Sequence, residues 1–327
     1  MTPEHHHHES SSTSDLSCCL DACRTKEHIR IAASSFCGRR AMVKKLWCRE
    51  LARKWFQTKF EPPHGRCFSE PKCQDQLKLW YVIYRWLIFS CWLLVVLFSF
   101  FEVGSAHPLG IWEKWPIYLT NWDLALGLSQ SLLGVCLVTR RWRQQRRCVD
   151  FDPSTLEYGK LEKIYWFLYI VTSSLALGVT VSYWGLVHDP KIHNVDPLNI
   201  LIHVSNSLLM LLDLCVTGVP FEIRCFWWCP LLVSLYVLFS LVYYAAGGLD
   251  KLGHHKIYNI LDWEKPKRTI LVCAGGLVFL AITHCLLYFI ARFRDRVYER
   301  RRRLIVSATQ NGCKEEAEKR KNESSYV

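Results

Sequence analysis

No cysteine lies in the segments 102–116, 188–197 or 248–268, although sixteen of the 327 residues are cysteine. A disulfide-stapled domain built from those three segments is thereby excluded, and thiols confined to the remaining segments suit a reducing compartment. No G-x-S-x-G occurs, which excludes a nucleophile elbow of the usual kind. No RNA- or DNA-binding motif accompanies the net charge of +12, so nucleic acid is not an expected partner. No internal repeat is evident, which argues against a transporter made of symmetric halves. No cleavable signal-peptide pattern opens the chain. The one glycosylation sequon, Asn322-Glu323-Ser324, falls in a carboxy-terminal segment expected in the cytosol, where it would stay unmodified.

Half of the residues are hydrophobic, and they are concentrated in six runs at 79–101, 117–139, 164–187, 198–219, 230–247 and 269–291. A bilayer core of ~30 Å takes about 20 apolar residues at ~1.5 Å per residue. Helix is the state such runs adopt, because lipid offers no partner to the open edge of a sheet. The expected fold class is therefore all-α, a polytopic transmembrane bundle of about six helices.

Charge sets the expected orientation. The segment after the second run holds Arg140, Arg141, Arg143, Arg146, Arg147, Lys160 and Lys163. The segment after the sixth holds Arg292, Arg294, Arg296 and Arg300 to Arg303, and the stretch before the first run is also basic. Segments 102–116 and 188–197 each carry a single lysine, Lys114 and Lys191. Positive charge stays on the cytosolic side, so both termini are expected there. Segment 248–268 fits less well, with Lys251, Lys256, Lys265, Lys267 and Arg268 on the outer side. Trp112, Trp115, Tyr118, Trp122 and Trp184 read as an outer aromatic belt; Trp80, Tyr81, Tyr84, Trp142, Tyr165, Trp166, Trp227 and Trp228 read as an inner one.

Four regions follow from these patterns. Residues 1–38, rich in Ser, His and Cys, read as a disordered cytosolic tail, in which His5 to His8 are either a metal-binding run or a low-complexity tag. Residues 39–75 form a juxtamembrane segment. Within it Trp47, Leu51 and Trp55 recur every fourth residue against Lys44, Lys45, Arg49, Arg53 and Lys54, as in a basic amphipathic helix on the leaflet or one docked on the bundle. Cys48, Cys67 and Cys73 are candidate acylation sites there. Residues 76–292 are the six-helix domain, and 293–327 read as a basic, then disordered, tail. Asp196-Pro197 is expected to cap the fourth span, and Trp115-Pro116 to open the second in a similar way.

Two spans carry polar stripes. The fourth places Asn199, His203, Asn206, Met210, Asp213 and Thr217 at alternating spacings of four and three, hence on one helical face. The second places Thr120, Asp123, Gly127, Gln130 and Gly134 likewise. Both spans run in the same direction in the expected topology, with Thr120 and His203 at similar depth. Ionisable groups in lipid cost at least ~2.5–3.5 kcal/mol at mid-membrane, so Asp123, Asp213 and His203 are expected to face inward. Such stripes hold helices together by packing and hydrogen bonding. They also have the composition of a reactive site: a Thr120 hydroxyl activated by His203, with Asp123 or Asn206 orienting the imidazole, acting on an acyl-lipid ester. His107, His188, His193, His254 and His255 lie in outer segments with spacing that matches no zinc motif, and no metal or cofactor is assigned. His284 in the sixth span reads as a hydrogen-bonded packing residue.

The pieces WEKWPIYLTNWDLAL (112–126), HVSNSLLMLLDL (203–214), TGVPF (217–221) and YYAAGGLDKLGHHKIYNILDWEKP (243–266) resemble the Rolling stone family. The resemblance covers roughly 76–292. It implies a multi-span plasma-membrane protein associated with myoblast fusion. More distantly, YLT and the span-four histidine are similar to the androgen-induced family of fatty-acid-ester hydrolases. That likeness implies Thr120 as nucleophile and His203 as its catalytic histidine. Three classes of function stand on these grounds: a membrane protein of cell–cell fusion, an intramembrane lipid ester hydrolase, and a channel or transporter. The expected partners are membrane lipids and lateral or homo-oligomeric membrane neighbours. Outer segments of about 10–21 residues leave little surface for a trans-adhesive ectodomain.

Overall fold

The structure is a computed structural model that describes residues 63–74, 76–148, 150–188 and 195–324, with side chains up to 311. The tail 1–38 and the amphipathic stretch 39–60 lie outside the described residues, as do Cys48 and His193.

Six helices are long and apolar enough to cross a membrane. They are α1 (Leu79–Phe100), α2 (Leu119–Arg147), α3 (Lys160–Val187), α4 (Pro197–Val216), α5 (Ile223–Ala245, opening on a 3-10 turn) and α6 (Pro266–Ser324). No β-strand occurs among the described residues, which contain only two isolated bridges. Each helix matches one apolar run. The carboxy-terminal segment differs: α6 continues unbroken to Ser324, so the basic stretch after 291 is helical where a tail is expected from its charge. Arginine, lysine and glutamate are good helix formers, and no proline or glycine interrupts the chain between 277 and 311.

α3 is the central helix, packed against α2, α4, α5 and α6. Its middle is Thr172, Ser173, Ser174, Leu175, Ala176 and Gly178, all buried. Small residues of this kind let neighbouring backbones approach in a membrane, where packing rather than the hydrophobic effect joins helices. Leucine and isoleucine side chains such as Ile83, Leu87 and Leu94 of α1 and Leu231, Leu235 and Leu238 of α5 stay exposed, as a lipid-facing surface requires.

Helix ends are satisfied by specific groups. Asp196 caps α4 as its sequence suggests, accepting from the Asn199 amide at 2.7 Å, with Pro197 in the first turn. Trp115-Pro116 behaves differently. Pro116 lies inside a separate 3-10 turn, Trp112–Ile117, and α2 begins only at Leu119 with no side-chain cap. The last carbonyls of α4 are taken by Arg294, which donates to Leu214 O at 2.7 Å, Thr217 O at 3.1 Å and Val219 O at 3.3 Å. A guanidinium is suited to orphan carbonyls at the negative end of the helix dipole.

The segment before α1 and the extension of α6 meet at one end of the bundle, where Lys72 and Asp295 pair at 3.0 Å. That end, called the basic end below, also holds Arg141, which donates to Glu70 at 3.0 Å and to Ser69 Oγ at 3.2 Å. At the opposite end the loop 246–265 is tied down. Lys251 pairs with Glu102, and Lys114 donates to Asp250 O at 2.7 Å. Pairing with Glu102 neutralises Lys251, one of the five cations that fit the charge rule poorly. The expected inner aromatic belt is only partly a belt. Trp80 and Trp227 are exposed, whereas Tyr81, Tyr165 and Trp166 are buried in the bundle and serve as core.

Candidate intramembrane polar site

The stripes of α2 and α4 face each other. Asn206 Nδ2 donates to Asp123 Oδ2, and Gln130 Nε2 donates to Asp213 Oδ2 at 3.2 Å. Both bonds join residues 83 apart, so the two helices run parallel in a constant register. The glycines of the α2 stripe receive α1. A Cβ on Gly127 would lie 2.4 Å from the Trp92 ring. Into the space at Gly134 comes Arg85, whose Nη1 pairs with Asp213 Oδ1 at 2.6 Å and whose Nη2 donates to the Tyr165 hydroxyl at 3.1 Å. Tyr84 donates to the same Asp213 oxygen at 3.1 Å. Arg85 and Asp213 are each 1% exposed, so this charge pair is wholly removed from lipid and water.

The sequence pattern alone does not reveal Arg85 as the partner of Asp213. Its signal was a lone arginine within an otherwise apolar run, and intramembrane charges are paired as a rule.

Toward the other end, the helices depart from regular α geometry. Residues Leu201–Ser205 of α4 and Tyr183–Val187 of α3 each form a π turn. His203 is at the centre of the first and is 4% exposed. Its ring stacks on Tyr183 of the second, with centroids 3.4 Å apart and planes 9° from parallel. The Tyr183 hydroxyl donates to Asn199 Oδ1 at 3.1 Å, which holds the stack from the same stripe. A π turn displaces a carbonyl from the α ladder, and the His203 carbonyl instead accepts from α3, from the Thr180 hydroxyl. Thr180 in turn meets Ser207 Oγ at 2.7 Å. Such turns recur at functional positions, and no sequence pattern marks them.

Thr120 lies one turn from Asp123 and is 9% exposed. At the adjacent residue the hydroxyl of Tyr258, which descends from the loop 246–265, accepts from the Leu119 amide at 3.0 Å. Burial raises the phenol of Tyr258 above its ordinary range, so it remains neutral. Tyr258 is a further residue of this site that residue-type reasoning passed over; it lies within the YYAAGG…EKP piece. Of the four residues singled out from sequence, the structure thus joins Asp123 to Asn206 directly. It places Thr120 under Tyr258 and turns the His203 ring onto Tyr183. The register that links 123 to 206 and 130 to 213 is interrupted by the π turn Leu201–Ser205, which carries His203.

Asp123 Oδ1 and Asn206 Oδ1 are buried and carry no hydrogen bond. The expected outer histidines occupy separate positions: His188 packs on Trp184 with centroids 5.0 Å apart, and His254 Nδ1 pairs with Asp250 at 3.2 Å. His284 lies in the bundle core, against Ser174 Oγ at 3.0 Å and Phe221.

The protein-family model described as Protein rolling stone matches residues 41–313, wider at both ends than the stretch 76–292 suggested by the quoted pieces. Protein rolling stone of Drosophila melanogaster is 31% identical over 219 residues, covering 64% of this chain and 75% of that protein. No solved structure matches. The chain is a multi-pass membrane protein that belongs to the Rolling stone family.

Proposed function

We propose that this protein resides in the plasma membrane with both termini in the cytosol and acts in cell–cell fusion during development, as in the fusion of myoblasts. The likeness to Protein rolling stone over 219 residues carries this reading. The loops opposite the basic end support a role within the membrane plane rather than trans-adhesion. They are short and held to the bundle by Lys251–Glu102 and Lys114–Asp250. Surface biotinylation of fusing myoblasts, followed by deletion and re-expression, tests the proposal. Surface labelling with a lowered count of multinucleated cells, restored by re-expression, is the expected result. An unchanged fusion index in deleted cells would overturn it.

A second reading is favoured by one observation: Thr120 and His203 are both buried, each three residues before its neighbour in the Asp123–Asn206 bond. On this reading Thr120 Oγ1 attacks the acyl carbon of a lipid ester, His203 accepts its proton and returns it to the leaving alcohol, and water then releases the acid. Asp123 and Asn206 supply the polar floor. Purified protein in nanodiscs, exposed to a lipid-like fluorophosphonate, is expected to label at Thr120 and to lose labelling in Thr120→Ala and His203→Ala. Ester turnover unaffected in both variants would remove the hydrolase from consideration.

A further inference from the structure

At the basic end an open cleft of about 960 Å³ lies between the segment preceding α1 and the extension of α6. Among the described residues its walls bring together Arg66, Lys72, Lys78, Arg301 and Arg302, five cations against the two carboxylates of Glu70 and Glu299. Glu70 is already shared by Arg66 Nε at 2.9 Å and Arg141 at 3.0 Å, so its charge is more than matched. Lys72 is fixed by Asp295, which also takes two contacts from Arg294, at 2.9 and 2.8 Å. Arg66 and Lys72 are therefore held in place by carboxylates that are shared with Arg141 and Arg294, and Lys78 and Arg301 add exposed charge at the rim. Lys78 is the last residue before α1 and is exposed, so the rim stands at the level where the apolar span ends. Tyr298, Ile305 and Val306 give one wall an apolar strip.

We propose that this cleft binds a headgroup carrying clustered phosphates, of the kind borne by a phosphorylated inositol lipid. Several cations converging from two chain segments suit a multiply charged anion far better than the single phosphodiester of a common phospholipid, because each added phosphate finds its own partner. The position at the end of a span places the site where lipid headgroups lie, and basic groups next to a membrane span attract such lipids. The apolar strip beside it accommodates the start of the lipid's glycerol and acyl portion. A soluble inositol polyphosphate shares the recognised chemistry.

Full-length protein in nanodiscs of phosphatidylcholine, with or without phosphatidylinositol bisphosphate, provides the test. Both faces of a nanodisc are open, so the result does not depend on membrane orientation. Saturable binding of a fluorescent bisphosphate lipid is expected, weakened at least fivefold in Lys78→Gln and Arg301→Gln, with Arg147→Gln, an exposed cation outside the cleft, near wild type. Equal weakening in all three variants would reduce the effect to general surface charge and overturn the site. Competition by inositol hexakisphosphate at concentrations far below those of the lipid would assign the same pocket to a soluble ligand; competition only at high concentration assigns it to the lipid. Absence of saturable binding of either to monodisperse wild type would refute the proposal. Lys78 and Arg301 are both exposed, so neither substitution removes a buried contact on which folding depends.

Discussion

The guanidinium of Arg85 lies directly against Gly134: a Cβ at that glycine would come within 1.8 Å of Arg85 Nη2. Gly134 is thus the space that lets an arginine on α1 reach Asp213 on α4 across the face of α2. Gly134→Ala is expected to displace Arg85 and destabilise the bundle. Breaking a buried pair on one side costs about 3–5 kcal/mol. Heating the detergent-solubilised variant and following its loss from the monodisperse fraction measures this. Gly275→Ala is the control, since nothing lies within 4 Å of its Cβ position and alanine favours helix. Equal behaviour of the two variants would show that Arg85 has somewhere else to go.

Arg85 and Asp213 also make a prediction about each other. Arg85→Met leaves a buried carboxylate with only the Gln130 amide and Tyr84 hydroxyl; Asp213→Leu leaves a buried guanidinium beside Tyr165. Each single variant is expected to express poorly or to melt well below wild type. The double variant, with no charge left in the core, is expected to recover most of the loss, because apolar replacement of a whole buried pair is often neutral. A double variant no better than the worse single one would mean that the pair fixes the helix register rather than merely cancelling its own charge.

These two residues show what sequence reading reaches and where it stops. The apolar runs located every span, because lipid leaves few alternatives for twenty apolar residues. The helical period put Asp123 and Gln130 on one stripe of α2 and Asn206 and Asp213 on one stripe of α4, since i, i+3 and i, i+4 positions share a face in any α-helix. Periodicity names a face but not its partner, so Arg85, coming from a third helix, stayed hidden. The π turns around Tyr183 and His203 left no trace in residue type either. They arise from tertiary contacts, with Thr180 holding the His203 carbonyl, and they redirect the one ring on which the stripe argument depends. Tyr165 and Trp166 read as interface residues in the sequence and are core in the fold, because aromatic type looks the same in a belt and in a core.

The two thiols of the basic cleft are expected to differ in reactivity. Burial pushes the Cys67 thiol up, assisted by the neighbouring Glu70 carboxylate, so little of it is thiolate at neutral pH. Cys73 is exposed in the same cleft. Brief iodoacetamide treatment of solubilised protein with peptide mapping is expected to modify Cys73 several-fold faster than Cys67, and any acyl chain added to this segment in cells is expected on Cys73. Faster labelling of Cys67 would show that the segment 65–74 opens away from the bundle.

Glu102 occupies a position that usually belongs to glycine. It follows the end of α1 with φ at 54°, in the left-handed region. Its carboxylate offsets that strain by accepting from the Leu109 and Gly110 amides at 2.6 and 2.9 Å and by pairing with Lys251. Burial acts to raise its pKa, but the bond from Lys251 and those from the two amides outweigh it, so the folded carboxyl titrates below its ordinary 4.5. A depressed folded pKa means that the stabilisation is complete above the unfolded value and is lost as pH falls through the folded one. The loop 246–265 is therefore expected to stay closed from pH 7 down to about 5 and to loosen only below the ordinary carboxylate range. Hydroxyl-radical footprinting of 248–258 from pH 7 to below the ordinary carboxylate range reads the transition directly. Glu102→Gln is expected to give a loop already more reactive at pH 7 and without the acid transition. Because Tyr258 in this loop bonds the Leu119 amide at the start of α2, the same variant is expected to raise footprinting at Tyr258. A Glu102→Gln protein that keeps the full acid transition would place the responsible group elsewhere, with Asp250 and its bonds to the Leu252 and His254 amides as the next to substitute.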